Sequence, residues 1–108
     1  MKRCWIYCGV PPHTSLDTLG AYRVYLKRYA EEKGYTIVSF TSENMYFDFV
    51  KCSGALTVLE AVRDKKMDVL LLEKGILDHE SKTIQDFLLF AEEHGVTVEE
   101  IEIKAKGK

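Results

Sequence analysis

The chain has only two prolines, and they stand side by side at Pro11 and Pro12. Proline is the residue that most firmly blocks helix interiors and inner strands, so regular structure can run unbroken through everything that follows. Cysteine is also scarce. Cys4, Cys8 and Cys52 are an odd number with no CxxC pair, which argues against a disulfide framework or a zinc site and for reduced thiols in the cytoplasm. There is no leader of signal-peptide form and no apolar run near the ~18 residues that cross a bilayer. No membrane partner is expected. A basic excess is missing too: the net charge is −2 with 30% charged residues, unlike the usual nucleic-acid-binding surface. The one basic cluster, Lys104, Lys106 and Lys108, reads as a solvated end.

What is present suits one domain. At 108 residues and 46% apolar, the chain is long enough to bury a core without staples. Cys4 to Cys8 is a short apolar run, the pattern of a strand covered on both faces, and Pro11 and Pro12 stop it. Thr14 with Asp17 has the form of a capping box. Leu16, Leu19, Tyr22, Val24, Tyr25, Leu26, Tyr29 and Ala30 then recur at helical steps until Gly34 ends the helix. Tyr35 to Phe40 is rich in β-branched and aromatic residues and predicts a second strand.

From Thr41 to Cys52 the pattern blurs into either a long mobile loop or a short apolar flap. Ser53-Gly54 opens a helix carrying Leu56, Leu59, Ala61 and Val62, and Met67 to Leu72 is the clearest buried strand. Ser81 caps a further helix with Ile84, Phe87, Leu88 and Ala91 on its apolar face, stopped by Gly95. Val96, Val98, Ile101 and Ile103 form a last strand, whose alternation slips at Glu99-Glu100 and predicts a bulge or break there. The alternation of strands and helices predicts a three-layer α/β/α domain over residues 1–108, with a mainly parallel sheet of four or five strands.

In such sheets ligands gather at the carboxyl ends of the strands. The end of the first strand offers Gly9 alone before two prolines, too little backbone N–H to cradle a phosphate. Cys8 with His13 nearby could form a nucleophilic pair, but a small thiol inside an apolar strand is more often packing. His79 with Glu80, or Asp78 with Glu73, could form an acid–base pair in the 73–80 loop, although short polar loops often look this way. His94 ahead of Gly95 suits a helix C-terminus without further role. Nothing calls for a metal or a cofactor.

Read together, the stretches Leu26–Val38, Gly54–Leu72 and Phe87–Val96 resemble, in order and spacing, the catalytic domain of the serine recombinases, the resolvase/invertase group. The resemblance spans Arg3 to Glu102. It implies a resolvase-like fold of flavodoxin-like topology. It also implies a place for the chemistry. The family's first strand ends in tyrosine, a small residue, arginine, valine and the serine that attacks the DNA phosphodiester. Here the run is Tyr7-Cys8-Gly9-Val10-Pro11, so Gly9 stands for the arginine and Pro11 for the nucleophile.

Cys52 stands in about the place of a second arginine. After the third strand the family carries lysine, then aspartate and arginine, then another arginine. Lys74 fits, while Ile76, Leu77 and Glu80 replace the others. Proline has no hydroxyl, and phosphoryl transfer needs cations on the phosphate oxygens. The resemblance therefore implies an inactive domain that binds, dimerises or regulates, pairing with itself or with an active recombinase. DNA is expected to be bound only weakly or through a missing domain, since the family's long helix and separate DNA-binding segment have no counterpart here. DNA binding without cleavage would show as salt-sensitive duplex affinity. The alternative is an enzyme of another class using Cys8, His13 and the 73–80 loop. Met45 to Val50 reads as a partner surface or as a segment packed down by its aromatics; as a partner surface it predicts that polar residues at Phe47 and Phe49 abolish association without unfolding.

Overall fold

The computed structural model describes residues 1–45 and 48–103. Four strands, β1 (Arg3–Val10), β2 (Thr36–Asn44), β3 (Val69–Glu73) and β4 (Thr97–Ile101), alternate with helices α1 (Leu16–Glu32), α2 (Ser53–Arg63) and α3 (Lys82–Glu93). A single 3-10 turn, Phe49–Lys51, precedes α2. The strands form one sheet of order β2-β1-β3-β4, parallel throughout. This is the expected three-layer architecture with the lower of the two strand counts.

β1 is an inner strand because both of its faces are apolar. Cys4, Ile6, Cys8 and Val10 point to one side and pack with Leu26 and Ala30 of α1. Trp5 and Tyr7 point to the other and pack with Ala55, Val58 and Val62 of α2 and Ile84, Phe87 and Ala91 of α3. α1 thus covers one face alone, and α2 and α3 share the other. Leu26 and Ala30 are fully buried, and burying one leucine side chain contributes about 2 kcal/mol.

The helix ends follow local chemistry, with one correction. The cap of α1 is Ser15, whose Oγ accepts from the Thr18 amide at 3.2 Å, and not the expected Thr14. The Thr14 amide instead donates to the Pro11 carbonyl at 3.1 Å, closing the turn after β1. Ser81 caps α3 as expected, accepting from the Ile84 amide. Gly34 and Gly95 both take positive φ just past their helices, where a side chain would be strained.

Three sequence expectations change. β2 runs to Asn44, well past Phe40, so most of the anticipated 41–52 loop is strand or 3-10 turn. Its irregularity lies early, where the pairing slips between Cys4 and Trp5 of β1 and leaves Val38 of β2 without an opposite number. That bulge lets Ile37 and Phe40, three apart, face α1 together. In β4 the expected slip at Glu99-Glu100 is absent, and the register with β3 is continuous from Thr97 to Ile101. Each glutamate has a partner that holds it in line: Glu99 accepts from the hydroxyls of Tyr29 and Tyr35, and Glu100 Oε2 lies 2.6 Å from His79 Nε2. Among the described residues no helix is long and apolar enough to cross a membrane.

Candidate functional site at the carboxyl ends of β1 and β3

In this strand order the chain turns one way from β1 to β2 and the other way towards β3. The crevice between the ends of β1 and β3 is the topological switch point, where open α/β sheets bind ligands. A cleft of about 440 Å³ opens there. Its walls are Gly9 to Pro12 from β1 and its turn, Glu73 to Ile76 from β3 and its turn, Tyr22 from α1, and Met45.

Gly9 is shaped by close approach. A Cβ on it would lie 2.8 Å from Tyr7 Cε1 and 2.9 Å from Met45 Cγ, with the Met45 sulfur closer still. Met45 is fixed there because its amide donates to the Val10 carbonyl at 2.7 Å, continuing the β1–β2 ladder one step past Asn44. The side chain of Asn44 reaches the same turn, its Nδ2 donating to the Pro11 and Pro12 carbonyls at 3.2 and 3.4 Å.

Beside Gly9 in the register stands Glu43. Its carboxylate accepts from the Tyr7 hydroxyl and from the amide of Gly54 at 3.0 Å, with Ser53 Oγ at 3.5 Å. The first-turn amide of α2 is therefore satisfied by a carboxylate of the protein itself, the charge a helix N-terminus favours. Gly54 is required by that approach, since a Cβ there would lie 2.5 Å from Glu43 Oε2 and 2.8 Å from Thr41 Cγ2. Burial, then the Glu43 carboxylate, pushes the Tyr7 hydroxyl far up, so it remains a neutral donor.

The positions singled out by the resemblance do not form one cluster. Gly9, Pro11, Lys74 and Ile76 meet around the cleft. Tyr7, Cys52 and Leu77 lie in the core against α2 and α3. Glu80 is exposed in the turn before α3, its amide donating to Asp78 Oδ1 at 3.0 Å. Lys74 is exposed, and its amide extends the ladder to the Ile101 carbonyl at 2.7 Å.

The residues proposed for other chemistries separate as well. Cys8 is buried in the layer under α1, and burial, then the charge of Glu73, pushes its thiol up to about 11. His13 is exposed, and no hydrogen bond joins it to Cys8 among the described residues. An uncharged, enclosed thiol is a poor nucleophile, so the Cys8 reading loses its support. His79 pairs with Glu100 rather than Glu80, and Asp78 turns to the Glu80 backbone rather than to Glu73. Among the described residues no group of His, Cys, Asp and Glu side chains is placed to hold a metal.

The sequence reading gave Glu43 no contact with the start of α2 and did not bring Met45 or Tyr22 to this cleft. The signal was there in the two-residue alternation of Ser39, Thr41 and Glu43, whose polar side chains face α2 and whose β-strand character their polarity masks.

No protein-family model matches the chain, and no curated protein matches it. Solved structures do. The chain superimposes on the C-terminal catalytic domain of ISC1926 TnpA, an IS607-like serine recombinase, with a TM-score of 0.81 at 23% identity, covering 94% of this chain and 71% of that one. It also superimposes on the N-terminal catalytic domain of TP901-1 integrase, with a TM-score of 0.69 at 20% identity, covering 90% and 75%. The fold is that of the serine recombinase catalytic domains.

Proposed function

We propose that this domain is related to the site-specific DNA recombinases but does not cleave DNA, and that it acts as a binding module, pairing with itself or with an active recombinase in the cytoplasm. The observation that carries the reading is the end of β1. At the position of the family's phosphate-binding arginine stands Gly9, with Met45 packed where any side chain would begin. At the position of the nucleophile stands Pro11, which has no hydroxyl.

The electrostatics run the same way. Phosphoryl transfer is driven by cations gathered on the phosphate oxygens. Among the described residues lining the cleft the one cation is Lys74, and a carboxylate, Glu73, lines the same cleft. Glu43 already occupies the N-terminus of α2, a place where a phosphate oxygen would otherwise be welcome. The cytoplasmic assignment rests on three buried cysteines that form no disulfide with one another.

The test is direct. The protein is incubated with supercoiled DNA carrying candidate recombination sites and resolved under denaturing conditions. No covalent protein–DNA adduct is expected, and its appearance would overturn the reading. Light scattering of the protein alone and mixed with a recombinase then measures pairing. A strictly monomeric species that ignores the recombinase would remove the binding role.

A further inference from the structure

The cleft at the switch point contains a carboxylate, Glu73, that forms no hydrogen bond or ion pair with the described residues. Glu73 closes β3 on the α1 side of the sheet, in step with Val69 and Leu71. It is half-buried, and among the described residues it has no hydrogen bond and no ion pair. Burial raises its pKa and no neighbouring cation opposes that rise. Partly buried carboxylates ordinarily acquire a partner, because desolvating an unpaired charge is costly.

The nearby cations do not pair with it. The Arg23 guanidinium lies over the Phe40 ring, 5.4 Å from its centroid, on the β2 side. Lys74 also lines the neighbouring hollow with His79 and Glu100, and forms no ion pair with Glu73. Around Glu73 the cleft offers apolar and aromatic surface instead: Val10, Pro12, Ile76 and the ring of Tyr22. A carboxylate beside an apolar, aromatic wall is the arrangement that receives an alkyl stem ending in a positive charge. The stem covers the wall and the head pairs with the acid.

We propose that this cleft binds an organic cation, an alkylammonium or guanidinium group, with the Glu73 carboxylate as its counter-ion. The site deepens the non-cleaving reading above and rests on it: the crevice that a recombinase would use for a phosphate has here the opposite charge preference. The cation can be a free amine or the side chain of a lysine or arginine on a partner protein. Both present the same head group.

Amide spectra of the full chain are recorded during titration with butylguanidinium, with a tetrapeptide carrying one arginine, and with inorganic phosphate. Both cations should shift the amides of Gly9, Val10, Gly75 and Ile76 saturably. Glu73→Gln should weaken binding at least tenfold while leaving the spectrum otherwise native, because glutamine keeps the shape and removes only the charge. Glu73→Asp should keep measurable binding. A peptide bound tenfold more tightly than butylguanidinium assigns the cation to a protein partner, and equal binding assigns it to a small molecule. Unchanged affinity in Glu73→Gln, or phosphate shifting the same amides and competing, overturns the proposal. A covalent DNA adduct would end the non-cleaving reading. No cation binding and no adduct would end this inference alone.

Discussion

The hydroxyl of Tyr7 donates to the carboxylate of Glu43 across neighbouring strands, in a chain whose sequence separates them by 36 residues. The same carboxylate holds the Gly54 amide, so one acid ties β1, β2 and the start of α2 together. Tyr7→Phe leaves the ring in its edge-to-face contact with Phe49, 4.9 Å between centroids, and removes only the donor. A net hydrogen bond to a charged group is worth about 1.5–3 kcal/mol. Urea denaturation should show a loss in that range for Tyr7→Phe. The double variant with Glu43→Gln should lose less than the sum of the two, because the pair acts as a unit. Strictly additive losses would show that the contact carries no stability.

Gly9 is confined by Met45 on one side and Tyr7 on the other. Gly9→Ala should destabilise by about 1–3 kcal/mol through overpacking. Met45→Ala in the same chain should recover much of that loss by vacating the space. The midpoint of thermal unfolding for the two single variants and the double variant tests this. An alanine at position 9 that costs nothing would mean that Met45 gives way freely, and the closed end of β1 would then be no obstacle to a larger side chain.

The order of elements was legible because each carries its own local signal. The apolar face of α2, the run Val69 to Leu72, and the stops at Gly34 and Gly95 needed no knowledge of distant residues. What was illegible depends on such knowledge. Glu99 and Glu100 look misplaced in a strand until Tyr29, Tyr35 and His79 arrive from elsewhere in the chain. Thr41 and Glu43 read as loop because their partners, Trp5 and Tyr7, belong to another strand. On α1 the helical spacing gathered too many residues: Leu16, Val24 and Tyr25 are exposed, while Leu26 and Ala30 carry the core contact. For the site, the resemblance located Gly9, Pro11, Lys74 and Ile76 around one cleft, but could not show that Met45 fills the space beside Gly9.

The expected partner surface at 45–50 gives a further test, because the structure reverses part of it. Phe49 is not available to a partner. It is 1% exposed and packs edge-on against both Tyr7 and Phe87, the latter at 5.2 Å between centroids. Met45 and Val50 also pack partly against this core, while Tyr46 and Phe47 lie outside the described residues. Phe49→Ala should therefore cost about 3–5 kcal/mol of stability, the range for emptying an aromatic core site. The measurement is urea denaturation followed by Trp5 fluorescence. A variant of wild-type stability with altered oligomeric state would restore Phe49 to a surface role.

Alkali should dismantle the layer under α1 in a defined window. The hydrogen bonds to Glu99, and next burial, push the hydroxyls of Tyr29 and Tyr35 up to about 12. Burial pushes the thiols of Cys8 and Cys4 up to about 11 and about 12. All four groups hold their protons more tightly folded than unfolded. Their contribution is thus complete below the unfolded values, about 8.5 for thiols and 10 for tyrosine. It is lost as pH climbs through the folded ones. The urea midpoint should be flat near neutrality and fall between about pH 9 and 12. Tyrosinate absorbance adds a residue-level reading. Glu99→Gln removes the carboxylate that holds both protons, so Tyr29 and Tyr35 should ionise closer to the ordinary tyrosine value of about 10, while Tyr7, held by Glu43, should not follow. Tyrosinate absorbance that follows the same pH course in Glu99→Gln as in the unaltered protein would show that Glu99 does not bridge α1 to β4 in solution.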